Sequence, residues 1–159
     1  MSPENLAKSR LAAAENGEAG EALVQAYLEK QAAVTACEWA SRLNAVAPYD
    51  FRLTLAGADE MVDVKTTVGG FDTAFHLSLN ELKQAVCAPG VYRIYRVYDI
   101  RGQPRLRIST DLKAFAAALW AQVQGLPAGV MADGFTLKPT LLAASFLFGP
   151  PLPLFPADD

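Results

Sequence analysis

The stretch Pro48-Tyr49-Asp50-Phe51-Arg52-Leu53-Thr54-Leu55-Ala56-Gly57-Ala58-Asp59-Glu60-Met61-Val62-Asp63-Val64-Lys65-Thr66-Thr67 holds two runs of strand-like residues around a small, Gly-containing interruption. Runs of this kind, joined by a short break, are the pattern of a β-hairpin. Strands are expected over 49–55 and 61–66, with the turn at Ala56-Gly57-Ala58-Asp59. Side chains alternate along a strand, so Asp63 and Lys65 share one face while Val64 points into the core and leaves its carbonyl near them. The hairpin brings Asp50 back to the same place. Two carboxylates, a main-chain carbonyl and waters make an oxygen-rich site suited to Mg2+ or Mn2+, able to polarise a phosphate and lower the pKa of a bound water. Lys65 then aligns that water or stabilises the developing anionic charge. Plainer readings stand beside this one: a lone Asp is ordinarily a surface carboxylate, and Lys65 two positions after Asp63 can form a simple ion pair.

Outward from this hairpin the chain alternates helical and extended patterns. Ser2-Pro3-Glu4 has the form of an N-cap with proline at the first helical position, and predicts a helix to Ala14. Asn16-Gly17 predicts a break or a bend, followed by a second helix over 18–30 whose stripe is Leu23, Val24, Tyr27 and Leu28, with Glu21 on another side. A strand is expected over 33–39. After the Gly69-Gly70 loop, Ser78-Leu79-Asn80-Glu81 has capping-box spacing and predicts a helix to Val86, ended by Pro89-Gly90. Strands are expected over 91–98 and 105–109, and a helix over 112–124 with apolar residues at helical spacing, packed on the sheet. The fold class that follows is α/β, with a mixed central sheet of about four to five strands flanked by helices. Residues 1–125 form that domain, and 126–159 are a Pro/Gly-rich apolar extension. This extension is expected to fold back onto the domain, or else to dock on a separately encoded protein or a second copy.

The order acid, spacer, acid-x-lysine resembles the PD-(D/E)xK nuclease superfamily. Within it, residues 17–99 resemble the NO VEIN C-terminal-like domain of restriction and defence proteins. The residues that carry this are Gly20-Glu21, Tyr27-Leu28, Trp39, Asn44, Tyr49-Asp50-Phe51, Val62-Asp63-Val64-Lys65-Thr66-Thr67, Phe75 through Leu82 and Tyr92 through Val97. Asp63 departs from the Glu more usual at its position. The resemblance implies a restriction-endonuclease-like core and metal-dependent hydrolysis of DNA in restriction or antiphage defence. It also implies metal ligation by Asp50, Asp63, the Val64 carbonyl and Glu21, the last as the helix-borne acid, with Lys65 catalytic. Glu21 alone reads as a solvated helix carboxylate, and Gln84 falls where related nucleases place a polar residue near the metal.

With 159 residues, 52% hydrophobic and 19% charged, the chain can bury a sizeable core. Its net charge of -3 argues against sequence-blind attraction to nucleic acid by the whole surface. Basic residues nevertheless concentrate late: Lys83, Arg93, Arg96, Arg101, Arg105 and Arg107 stand against Asp99 alone. Arg93, Arg96, Arg105 and Arg107, with Thr66 and Thr67, are the candidate DNA contacts; the other reading of the arginines is a solvated sheet face. Ser78 reads as a helix cap rather than a nucleophile, and His76 as a phosphate contact or a structural histidine. Cys37 and Cys87 lack zinc-ligand spacing and read as buried small apolar residues. The opening Met1-Ser2-Pro3-Glu4-Asn5 has no basic-then-apolar leader and no run is long enough to span a membrane, so a cytoplasmic location is expected.

Two function classes follow. One is a Mg2+- or Mn2+-dependent endonuclease on DNA. The other is a catalytically inactive module of the same fold that binds nucleic acid or a protein. The metal chemistry does not separate DNA from RNA as substrate.

Overall fold

In the computed structural model, which describes residues 2–142 and 146–157, the 48–67 stretch forms two strands at the centre of a six-stranded mixed sheet. The strands of the chain are β1 (Val34–Trp39), β2 (Phe51–Leu55), β3 (Ala58–Thr66), β4 (Phe75–Ser78), β5 (Val91–Tyr98), β6 (Arg105–Ile108), β7 (Gly134–Leu137) and β8 (Leu152–Pro153). The main sheet runs β1-β2-β3-β5-β6-β8, and β4 pairs with β7 in a separate two-stranded sheet. Five of the six main strands fall within one or a few residues of the expected positions; β8, a two-residue strand among prolines, supplies the sixth.

The β2–β3 turn is tighter than expected. Leu55 pairs with Ala58, leaving only Ala56 (φ 50°) and Gly57 (φ 82°) between the strands. Positive φ at both central residues matches the right-handed twist of the flanking strands, and Gly takes such a conformation without a Cβ penalty. β3 then runs parallel to β5, with Asp63 beside Ile94 and Lys65 beside Arg96. That parallel step needs a crossover, which β4 and α3 (Leu79–Cys87) provide.

Alternation along β3 and β5 builds two cores. Val62, Tyr95 and Val97, with Phe51 and Leu53 of β2, pack against Val24 and Leu28 of the first helix, α1 (Pro3–Glu29). Met61, Tyr92 and Ile94 face the other way, onto Leu82 and Ala85 of α3 and Ala116 of α4 (Lys113–Gln124). α4 lies mainly against α3 rather than directly on the strands. Phe146 and Leu154 of the C-terminal extension are buried in the two cores. Residues 143–145 of its apolar run lie outside the described residues.

Two expectations are corrected here. The break at Asn16-Gly17 does not occur, and α1 is one helix of 27 residues. A Cβ on Gly17 would meet nothing within 4 Å, so no neighbour demands a bend, and one interior glycine costs a helix only about 1 kcal/mol. Cys37 and Cys87 are exposed, one on the edge strand β1 and the other at the last turn of α3. The chain also forms a short helix that the sequence pattern does not announce, α2 (Ala40–Leu43). Among the described residues no helix is long and apolar enough to cross a membrane.

Candidate active site

Asp50 is held at the head of β2 by backbone bonds on both sides. Its N–H donates to the Val62 carbonyl (2.8 Å), and its own carbonyl accepts the Ser41 N–H (3.2 Å). The loop before it is tied to β5 by the Tyr92 hydroxyl, which donates to the Pro48 carbonyl (2.8 Å). So placed, Asp50 Oδ2 accepts the Val64 N–H at 2.6 Å. The β2–β3 register pairs Phe51 with Val62, and one further step brings Asp50 opposite Asp63. The two carboxyls are close enough for each to perturb the ionisation of the other.

Their electrostatics follow from that closeness. Burial, the Asp63 charge and the Glu21 charge all push the Asp50 carboxyl up, against a smaller downward pull from the Val64 N–H. Burial likewise raises Asp63, partly offset by Lys65. Two carboxylates held together out of water resist ionising in full unless a cation joins them.

Lys65 stands between two acids. Its ammonium is 2.9 Å from Glu81 Oε1 and 3.0 Å from Asp63 Oδ2. The Glu81 contact has the better hydrogen-bonding alignment; Asp63 Oδ2 is buried and is held by the ion pair with the ammonium. Burial pulls the Lys65 ammonium down, but Asp63 and Glu81 outweigh it and leave the group raised, firmly charged near neutrality. Glu81 is the N3 residue of the α3 capping box, in which its Oε2 accepts the Ser78 N–H (2.8 Å) and Ser78 Oγ accepts the Glu81 N–H (3.2 Å). The sequence reading assigned Glu81 to the cap alone. Its second role across the fold has no local signal, because Lys65 lies on a different element.

Glu21 reaches the neighbourhood from α1. Its Oε2 accepts both the Trp39 Nε1–H and the Ser41 hydroxyl, each at 2.6 Å, and its charge is felt at Asp50. Two open clefts flank the carboxyl pair. One, about 400 Å3, is lined by Gly17, Glu21, Trp39, Ser41 and Arg42; the other, about 410 Å3, by Lys65, Thr67, His76, Ser78 and Glu81. The second lies at the C-terminal end of β3 beside its parallel neighbour, the end of parallel strands where ligands ordinarily bind. Neither cleft is lined by Asp50 or Asp63, and Asp63 is 3% exposed.

The expected basic strip does not form as one surface. Arg93 and Arg96 are three apart on β5 and so face opposite sides of the sheet. Arg93 bonds Glu60 Oε1 (3.1 Å) and the Ser109 carbonyl (2.9 Å). Arg96 is 1% exposed and donates to the carbonyls of Lys65 (3.1 Å) and Thr73 (2.7 Å), a structural clamp on the loop after β3. Arg107 lies over the Phe71 ring and donates to the Gly149 carbonyl (2.7 Å), while Arg105 is exposed. Thr66 turns its hydroxyl beneath α1 at Gly20, where it is buried without a partner, and Thr67 Oγ1 accepts the Gly69 N–H. Gln84 donates to Met61 Sδ (3.2 Å) rather than toward the carboxyl pair. An exposed cation the sequence reading passed over is Arg42, whose guanidinium sits 4.5 Å above the Trp39 ring at the mouth of the Glu21 cleft.

Among the described residues no group of three or more His, Cys, Asp or Glu side chains is arranged to hold a metal ion. What the fold does bring together is the carboxyl pair, the Val64 backbone between them and Lys65. A family model described as Protein NO VEIN, C-terminal, matches residues 20–109. The chain belongs to the NO VEIN C-terminal family. A search of the curated proteins returned no match. The NO VEIN C-terminal match opens at Gly20-Glu21 and closes at Ser109, whose hydroxyl accepts the Ile94 N–H (2.8 Å). It therefore takes in the packed half of α1 and all of the site, and leaves out α4 and β8.

Proposed function

We propose that this chain is a small metal-dependent nuclease of the PD-(D/E)xK type, hydrolysing DNA phosphodiester bonds in restriction or antiphage defence. The observation that carries this reading is the buried Asp50–Asp63 pair, with the Lys65 ammonium 3.0 Å from Asp63 Oδ2. Two carboxyls held together out of water, with one ammonium beside them, ionise fully only when a further cation joins them. Asp50, Asp63 and the Val64 carbonyl are hard oxygen donors, and one or two carboxylates with waters are what Mg2+ ordinarily takes from a protein. The residues present fit Mg2+ or Mn2+ without a third acid. Glu21, tied to Trp39 and Ser41, orients that side of the site and adds negative charge near it.

When bound, such a cation supplies Lewis acidity at a phosphate oxygen and acidifies water. The protein's own part is to hold the phosphate in the Lys65 cleft and to place an ammonium where negative charge builds up. Exposed Arg42 and Arg105 are suited to the DNA backbone.

One observation favours the second reading, a module that binds nucleic acid or a protein without turnover: Asp63 is almost fully buried, and neither cleft reaches it directly. Incubation of plasmid, linear and single-stranded DNA with Mg2+ or Mn2+ separates the two. Cutting by the wild type that disappears in folded Asp63→Ala and Lys65→Ala supports the nuclease. A wild type inert on every substrate that still shifts DNA in a gel supports the module.

A further inference from the structure

The two anions that share Lys65 are not equivalent. Glu81 Oε1 receives the ammonium in good hydrogen-bonding alignment at 2.9 Å; Asp63 Oδ2, at 3.0 Å, is ion-paired to the same ammonium in poorer alignment and is sealed from water. Glu81 is itself immobilised, because its other oxygen is bound to the Ser78 N–H in the capping box. Lys65 is therefore anchored from the α3 side. A cation approaching Asp63 would repel the ammonium, and Glu81 already offers it a fixed anion to rest against.

We propose that Glu81 is a positioning residue that shares the Lys65 ammonium with Asp63, so that a divalent cation arriving at Asp63 Oδ2 displaces the ammonium onto Glu81 while Lys65 stays beside the phosphate cleft. The inference rests on the metal-site reading above and adds a function to a residue that local sequence assigns to a helix cap. Without the Glu81 charge, Asp63 is, among the described residues, the ion-pair partner left to the ammonium, and the lysine competes directly with the metal. Outer residues that orient metal ligands typically change affinity by 10–100-fold when altered.

The cap and the charge separate cleanly. Gln satisfies a capping box as Glu does, so Glu81→Gln keeps α3 capped through its amide oxygen and takes the anionic acceptor from Lys65, whereas Ser78→Ala damages the cap and leaves the carboxylate. Mn2+ binding to the full chain is measured by calorimetry for the wild type, Glu81→Gln, Ser78→Ala, Lys65→Met and Lys65→Met/Glu81→Gln, with unfolding in EDTA as the folding control. The expected result is Mn2+ affinity about tenfold weaker in Glu81→Gln, nearly unchanged in Ser78→Ala, and insensitive to Glu81→Gln once Lys65 is Met. Wild-type affinity in Glu81→Gln, or the same loss with and without Lys65, overturns the positioning role and leaves the metal site standing. A wild type that binds no Mn2+ overturns the metal site and this inference with it. Should Glu81→Gln prove unfolded in EDTA, Glu81→Asp decides: a carboxylate too short to reach Lys65 must weaken Mn2+ binding, and unchanged affinity there refutes the proposal.

Discussion

Gly20 of α1 sits directly on Thr66 of β3: a Cβ placed on Gly20 would overlap Thr66 Oγ1 and crowd its Cβ and Cγ2. This close approach fixes the distance of α1 from the sheet, and with it the reach of Glu21 to Trp39, Ser41 and the charge of Asp50. Thr66 is β-branched on a central strand and has little freedom to yield.

Gly20→Ala is therefore expected to destabilise the fold by about 1–3 kcal/mol, despite the better helix propensity of alanine. Gly17→Ala, three residues earlier in open space, is expected to stabilise it by about 0.5–1 kcal/mol. Urea unfolding of the two variants checks both signs. Equal effects would show that α1 can shift off β3 at no cost.

Such contrasts mark where the sequence is readable and where it is not. The strands β2, β3, β5 and β6 announce themselves because alternation and turn residues are local, and the same local pattern puts Asp63 and Lys65 on one face. Gly17 misleads for the opposite reason: whether a glycine bends a helix depends on what packs against it. The arginines illustrate a signal present but summed too coarsely, since the period of two already sends Arg93 and Arg96 to opposite faces. Glu81 was invisible as a partner of Lys65, because the crossover that joins α3 to the end of β3 is a tertiary fact.

Arg96 and Arg105, both first read as DNA contacts, should now separate. Arg96→Met takes the donor from the Lys65 and Thr73 carbonyls and alters a fully buried side chain, and is expected to cost about 2–3 kcal/mol of stability. Arg105→Ala should leave stability within about 0.5 kcal/mol, while weakening DNA binding and lowering its salt slope by about one. Chemical unfolding and gel shifts at several salt concentrations test the pair. A stable Arg96→Met with lost DNA binding would restore the original assignment.

The cysteines offer a rapid check on the surface. Both Cys37 and Cys87 are exposed, so a thiol reagent should label both in the folded chain. Partial burial, and then the Glu29 charge, raise the Cys37 thiol, and the thiolate is the reactive form. Cys37 is expected to react more slowly at pH 8 than a free cysteine in solution. Protection of either until denaturant is added would mean that β1 or the end of α3 is covered in solution.

The carboxyl pair should make stability depend on pH in a direction opposite to ordinary acid denaturation. Burial and mutual charge raise Asp50, and burial raises Asp63, above their unfolded values near about 4. The unfolded chain then gives up protons that the folded chain keeps, so the contribution of the pair is fully present below pH about 4 and is lost as pH rises through neutrality. Lys65, itself raised, stays charged across this window and does not reverse the slope. In EDTA the urea midpoint is expected to fall between pH 5 and pH 8, and Asp50→Asn to flatten that fall. A divalent cation binds the ionised pair, so its stabilisation should grow over the same interval and be absent from Asp50→Asn. A midpoint in EDTA that rises with pH would mean that the two aspartates ionise independently, and the argument for a shared cation between them would lose its electrostatic footing.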